Sequence, residues 1–263
     1  MRLNKWISHN TGFSRRKADL LIKEGKVKLN HKIATFGDIV ENNQVFINGR
    51  EIKPKDSTKY SVIVYHKPKN ELVSKSDDRG RKVIYDTLDS KFRDYIPVGR
   101  LDFASSGLLL LSDSKEIATK LMTSNLIRIY NLKINGKINQ KIITAMSEGL
   151  SLVDASAGAH KHSKIKSMDF APFAFFEIIR EAESWSKIKV GITEGKNREL
   201  RRFFAYFGLD IIELKRVSYG FVELNALPVG KSRYLSRKDY NKLRVFLKES
   251  KTKAINVDRN KRK

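Results

Sequence analysis

Arg100 and Asp102 stand two residues apart in Val98-Gly99-Arg100-Leu101-Asp102-Phe103-Ala104-Ser105-Ser106-Gly107, just ahead of the apolar run Leu108–Leu111. An uninterrupted apolar run after a Gly- and Ser-rich loop predicts a fully buried strand, so this loop is mounted on a rigid element. A nucleophilic carboxylate must be ionised, and a nearby guanidinium favours that form. Taken alone, an Asp in such a loop is more often a turn or cap residue. Asp113 illustrates the ordinary case: with Glu116 three residues on, it reads as the N-cap of the next helix.

The second constellation is Gly195-Lys196-Asn197-Arg198-Glu199-Leu200-Arg201-Arg202-Phe203-Phe204-Ala205-Tyr206-Phe207-Gly208. Leu200, Phe203, Phe204 and Phe207 fall at i, i+3, i+4 and i+7 and predict a helix core face, with Gly208 as its C′ residue. Arg198, Arg201 and Arg202 fall at i, i+3 and i+4 on the other face. A solvated basic face is the simple reading. An all-arginine cluster at a helix start also suits phosphates or a buried carboxylate. Tyr130, in the alternating stretch Ile129–Ile134, has the chemistry to stack on a base or handle a proton, although a strand tyrosine commonly just packs its ring. His160 and His162 lie in a polar segment with Gly158 and no third ligand nearby, which reads as a loop rather than a metal site. No phosphate-cradling loop, dinucleotide fingerprint or zinc-protease motif is present. With no cysteine there are no disulfides, thiolate chemistry or sulfur-ligated zinc, as a reducing cytoplasm would allow.

The elements that must position these residues fall into two units. Over residues 1–50, Leu3, Trp6 and Ile7 share one helical face; Ser14 is placed to cap a second helix with Ala18, Leu21 and Ile22 inside and Gly25 at its end. Short strands are expected at 27–30 and 44–49, with a turn at Gly37-Asp38. Arg15-Arg16-Lys17 crowd the first turn of the second helix, where cations oppose the helix dipole unless an anion such as phosphate approaches. A solvated basic turn is the alternative. Residues 51–60 are polar and aperiodic and read as a linker. Strands are then expected at 61–65, 108–111, 130–134, 173–179, 187–192 and 211–214, with helices near 115–123, 139–148 and 198–207. Strands mixed with helices without a regular βαβ beat predict an α+β domain over residues 61–247. The tail, residues 248–263, is expected to be basic and disordered beyond a helix at Tyr240–Leu247.

The 263 residues include 53 Lys+Arg against 29 Asp+Glu, a formal net charge of +24. Such an excess calls for a polyanionic partner, and nucleic acid gains affinity through counterion release. A membrane surface is the rival, but the apolar runs are far too short to span a bilayer, and no apolar signal core follows Met1–Lys5.

Taken in order, these segments resemble the ribosomal RNA pseudouridine synthases of the small-subunit-enzyme class, which also contains several large-subunit enzymes. Residues 2–49, with Ser14–Asp19 and Ala34–Asp38, resemble an S4 RNA-binding domain. Gly99-Arg100-Leu101-Asp102 followed by Ser106–Leu111 is similar to the family's catalytic signature, and Glu194–Arg202 and Leu214–Val217 to its C-terminal motifs. The resemblance implies an α+β fold, with an S4 domain followed by a larger domain whose mixed, mainly antiparallel sheet is flanked by helices. It implies Asp102 as nucleophile, Tyr130 stacking on the target base and aiding proton removal, Arg201 pairing with Asp102, and Arg100 filling the stack vacated by a flipped uridine. Arg15, Arg16, Lys17, Arg198 and Arg202 are then expected to contact RNA. It further implies ribosomal RNA as partner, no cofactor and no metal, and a cytoplasmic monomer; the Tyr219-Gly220 neighbourhood leans toward the large subunit. Ile129 departs from the charged residue many members carry. The loop 154–168 has no counterpart in the family pattern and is expected to stand apart from the chemistry. A non-catalytic RNA-binding or ribosome-assembly factor fits the charge and the S4 unit equally well but does not need Asp102, Arg100, Tyr130 and Arg201 together. A metal-dependent nuclease lacks clustered acids to hold its ions.

Overall fold

A computed structural model of the chain describes residues 1–56, 59–160 and 163–260, with side chains through Glu249. The N-terminal unit begins with α1 (Leu3–Asn10) and α2 (Arg15–Lys23). The Ser14 hydroxyl accepts the Lys17 N–H, capping α2 as its spacing predicts. Leu3 and Ile7 pack against Ala18, Leu21 and Ile22 over Val27, Val45 and Ile47. The small sheet comprises β1 (Val27–Leu29), β2 (Lys32–Ile33), β3 (Val45–Ile47) and β4 (Arg50–Ile52), in the order β2-β1-β3-β4. Asn48 and Gly49, both at positive φ, form a two-residue hairpin turn that suits the strand twist. That hairpin carries the unit to Ile52, two residues into the stretch expected to be linker.

The larger unit is built on β5 (Val62–Lys67), α3 (Ile84–Thr87), β6 (Ile96–Pro97), β7 (Ser106–Ser112), α4 (Lys115–Met122), β8 (Arg128–Asn135), α5 (Gln140–Glu148), β9 (Leu150–Leu152), β10 (Met168–Phe170), β11 (Phe175–Glu181), β12 (Trp185–Ile192), α6 (Glu199–Tyr206), β13 (Ile211–Tyr219), β14 (Val222–Glu223), β15 (Ser232–Tyr234) and α7 (Arg237–Asn260). Its main sheet runs β11-β12-β8-β13-β7-β5-β15. Every pairing is antiparallel except β13 with β7. The α+β class and the mixed, mainly antiparallel sheet are therefore as expected. The apolar run Leu108–Leu111 is the buried centre of β7. Ile63, Tyr65, Leu109 and Leu111 face a large core shared with α5 and α6, while Val62, Val64, Leu108 and Leu110 face a second one under α4 and α7. At Gly107 the β7 backbone lies so close to β13 that a Cβ would sit 2.2 Å from the Arg216 carbonyl oxygen, so only glycine fits.

Three expectations change. The strand predicted at 211–214 runs on to Tyr219, because β8 and β7 supply backbone partners to the polar Lys215 and Arg216 from both sides. Asp113 does not cap α4; Ser114 does, while the Asp113 carboxylate accepts the N–H and hydroxyl of Ser61 and secures the start of β5. The residues 248–260, expected to be disordered, continue α7, since no Gly or Pro interrupts the chain after its Ser236 cap; residues 261–263 lie outside the described residues.

The two units touch. The Lys115 ammonium, at the start of α4, donates to the Ser8 carbonyl, to the Ser8 hydroxyl (2.7 Å) and to the Phe13 carbonyl (3.3 Å). It thus meets the C-terminal end of α1, where a cation complements the helix dipole. Among the described residues no helix is long and apolar enough to cross a membrane.

Candidate active site

The loop carrying Asp102 is held by its backbone. The Ser105 N–H donates to the Asp102 carbonyl (3.0 Å), and the Asn70 N–H to the Phe103 carbonyl (2.7 Å). Beneath it lies Lys67, the last residue of β5 and fully buried. Its ammonium donates to the carbonyls of Pro68 (2.8 Å), Ser105 (2.9 Å) and Asp102 (3.2 Å). Burial pulls the Lys67 pKa down to about 8, against the attraction of Glu71 and Asp102. Sequence reasoning missed this residue. The only local signal was a lysine at the inner end of an otherwise apolar strand.

The Asp102 carboxylate, one-third exposed, faces two guanidinium groups: Arg201 Nε at 3.6 Å and Arg198 Nη1 at 3.7 Å. These separations are longer than hydrogen bonds, so the oxygens keep lone pairs for a substrate. Arg201 is fixed by other contacts, through Nη1 to the Ile211 carbonyl (3.1 Å) and Nη2 to the Ser105 hydroxyl (3.3 Å). Burial lowers its pKa, which Asp102 opposes; a guanidinium stays charged regardless. Arg198 adopts the left-handed conformation (φ 51°) immediately before α6. For a non-glycine residue this costs on the order of 1 kcal/mol. The Arg198 Nε–H···O bond to the Gly158 carbonyl (2.7 Å) holds the side chain in place.

Tyr130 lies on β8 between β12 and β13, with Val190 and Arg216 as its neighbours in register. Its ring is buried and lines a cleft together with Arg100, Asp102, Arg128, Arg198, Arg201 and Arg216, walled by Leu101, Ile192, Leu200 and Leu214. Arg100 is exposed at the mouth, where the cleft opens into a broader groove. The four residues predicted for the chemistry, Arg100, Asp102, Tyr130 and Arg201, thus meet in one cleft. Arg15, Arg16 and Lys17 are exposed at the start of α2, well apart from it in the sequence and free to meet solvent.

Arg202 is a correction. Expected to face RNA, it is fully buried, and its guanidinium donates to the carbonyls of Asn197 (3.0 Å), Ala155 and Ile165 (3.3 Å), to Asn197 Oδ1 (3.1 Å) and to the Ser163 hydroxyl (2.7 Å). It has no face left for phosphate. The reason is the 154–168 loop, which lies over the side of α6 that a helical wheel leaves open. That loop, expected to stand apart, braces both Arg198 and Arg202. His160 lies in it, lining the broader groove; His162 lies outside the described residues. Among the described residues no three His, Cys, Asp or Glu side chains group as metal ligands do.

Two further arginines support the cleft floor. Arg128, two residues before Tyr130 on the same face of β8, donates to the carbonyls of Thr193, Glu194 (3.2 Å), Met122 (3.3 Å) and Ser124 (3.2 Å) and to the Tyr219 hydroxyl (2.9 Å). Arg216 donates to the Leu108 carbonyl (2.7 Å). Sequence reasoning missed both; the signal available was the strand period, since Arg128 is in phase with Tyr130 and Arg216 with Leu214. Glu199, the acid among the arginines, is buried, accepts the Lys196 N–H (2.9 Å), and has its pKa pushed up to about 7 by burial.

Residues 61–206, which include the whole Asp102 loop, β8 and α6, match the family model described as RNA pseudouridylate synthase. The chain belongs to that family. It is therefore an RNA pseudouridine synthase, an isomerase. Residues 1–43 match the S4 domain. An uncharacterized RNA pseudouridine synthase of Helicobacter pylori (strain J99) is 53% identical over 94% of this chain and 95% of its own. The ribosomal large subunit pseudouridine synthase B of Bacillus subtilis is 33% identical over 95% and 98%. A solved pseudouridylate synthase structure shares the fold, with a TM-score of 0.62 and 23% identity over 92% of this chain and 99% of that one.

Proposed function

We propose that this synthase converts a uridine of ribosomal RNA, in the large subunit, to pseudouridine through a covalent Asp102 adduct and without a cofactor. The observation that carries the reading is the Asp102 carboxylate, set in the cleft beside Arg201 and Arg198 at 3.6 and 3.7 Å with Tyr130 lining the same cavity. An Asp102 oxygen attacks C1′ of the ribose, and the C1′–N1 bond breaks with its electron pair going to the uracil. The freed base turns so that C5 faces C1′. The C5–C1′ bond forms as the carboxylate leaves with the pair it donated, and the C5 proton passes to a base while N1 takes up a proton, giving neutral pseudouridine. Tyr130, whose hydroxyl has no hydrogen-bond partner among the described residues, stacks on the base and takes part in that proton removal. Arg201 and Arg198 hold the carboxylate in place.

Extruding the target base costs a few kcal/mol, and Arg100, exposed at the mouth, offsets part of it by entering the vacated stack. Arg15, Arg16 and Lys17 bring phosphate contacts from the S4 unit, in a monomer working in the cytoplasm. The large-subunit preference is supported by the name of the Bacillus subtilis relative. The test is carbodiimide mapping of pseudouridine in ribosomal RNA from cells with the protein, without it, and with Asp102→Asn. One large-subunit signal should vanish in the last two. Its persistence with Asp102→Asn would refute the adduct, and a lost small-subunit signal would refute the subunit assignment. In vitro, Asp102→Asn should bind RNA as wild type does, since the carboxylate adds no attraction for phosphate.

A further inference from the structure

The main sheet has helices over only part of its outer face. Val62 and Val64 of β5 and Leu108 and Leu110 of β7 lie under α4 and α7. Farther along, that face carries polar side chains at exposed or half-exposed positions. On β8, Tyr130, Leu132 and Ile134 point into the core, so Asn131 and Lys133 point out. On β12, Ile188 and Val190 point in, so Trp185, Lys187 and Lys189 point out.

Trp185 is the centre of this open face. Three cations from three adjacent strands surround its ring: Lys133 of β8 at 5.3 Å from the centroid, Arg180 of β11 at 5.5 Å and Lys187 of β12 at 5.7 Å. Arg180 and Lys187 are direct partners in register. Among the described residues no carboxylate forms an ion pair with any of the three. Three like charges around one indole repel each other, and the ring's attraction offsets only part of that. A polyanion would offset the rest. The two acids on the same face, Glu177 and Glu213, lie opposite Lys189 and Lys133 in register and do not reverse its sign.

We propose that this face is a second RNA-binding surface, taking a single-stranded segment whose base stacks on Trp185 while its phosphates meet Lys133, Arg180 and Lys187. An aromatic ring ringed by cations is the arrangement that binds single strands with little sequence preference. Trp185 pairs with Asn135, five residues along β8 from Tyr130, or roughly 17 Å at strand spacing, and it lies on the opposite face of the sheet. The surface therefore holds a part of the RNA other than the target uridine. The proposal rests on the reading of the protein as an enzyme acting on a large RNA.

The experiment exploits the presence of only two tryptophans in the chain. In a Trp6→Phe protein, Trp185 is the sole indole, and stacking should quench its fluorescence as a 20-nucleotide oligouridylate is added. Trp185→Ala should weaken anisotropy-measured binding of the fluorescein-labelled oligomer by about 5- to 100-fold. Lys187→Glu, an exposed change that spares the core, should weaken binding and flatten the dependence of log K on log salt by about one unit or more. Lys141→Glu, also exposed but on α5, controls for the same charge reversal elsewhere. Absence of quenching, or equal effects of Lys187→Glu and a charge reversal at Lys141, would overturn the proposal and leave the cluster as sheet-face packing. These readouts need no turnover, so a wild-type protein that formed no pseudouridine would refute the proposed function without touching this result.

Discussion

Replacing Lys67 with Met should cripple turnover out of proportion to its effect on stability. The side chain is buried and spans three carbonyls, two of them at either end of the turn that presents Asp102. Methionine fills nearly the same volume but donates nothing. The Asp102 carbonyl keeps the Ser105 N–H as a partner, so the Pro68 and Ser105 carbonyls lose most. Each buried carbonyl left unpaired costs about 1–3 kcal/mol. Against this, the drop of the Lys67 pKa from 10.5 to about 8 means burial disfavours the ammonium by about 3 kcal/mol, a penalty methionine does not carry. The two nearly offset, and net destabilisation should stay within about 3 kcal/mol. Catalysis has no such compensation. Under the proposed Asp102 adduct, a nucleophile displaced by about 1 Å loses on the order of a hundredfold in rate. Release of tritium from 5-tritiated uridine in RNA, under single-turnover conditions, reads that rate directly, and thermal unfolding reads the stability.

The pH dependence supplies a second arm of the same test. Between pH 8 and 10.5 the folded protein has released the Lys67 proton while the unfolded chain still binds it. This group's contribution to stability therefore rises with pH over that window. Activity should move the other way, because a neutral amine offers two donors to three carbonyls. A wild-type rate that falls through about pH 8, absent from Lys67→Met, is the expected signature. A Lys67→Met protein turning over within twofold of wild type would refute the reasoning.

Glu199→Gln should stabilise the protein at neutral and higher pH. Its carboxyl titrates near 7 when folded against 4.5 ordinarily, so wild type loses up to about 3 kcal/mol as pH rises from 4.5 to 7; unfolding midpoints of the two proteins that run parallel across that range would contradict the assignment. Arg202→Met should destabilise by about 3–5 kcal/mol, since five acceptors lose a buried cation, and should raise amide exchange in the 154–168 loop first. Wild-type exchange there would show that the guanidinium does not brace the loop.

What the sequence disclosed follows the range of its interactions. The buried β7 strand and the inward phase of Tyr130 were legible because strand period and apolar runs are local. The helical wheel of α6 placed Arg198, Arg201 and Arg202 together, but what covers that side comes from residues some forty positions upstream, as in the Arg202–Ala155 contact. Hence two of the three arginines face Asp102, and the third is an internal tie. Lys67 was illegible for the same reason: its acceptors at Asp102 and Ser105 are 35 and 38 residues away. The length of α7 was misjudged because charge was weighed above the absence of any helix breaker.

Lys115 gives the two-unit architecture a metrical property. An ammonium seated on the end of α1 ties the unit that carries the basic helix α2 to the unit that carries the cleft. A tethered RNA-binding unit raises the local concentration of substrate everywhere within reach; a strut fixes one span between the place gripped and the place modified. If the joint acts as a strut under the proposed function, site choice is a matter of distance within the folded RNA, and Lys115→Ala should show its effect in which uridines are modified more than in how fast.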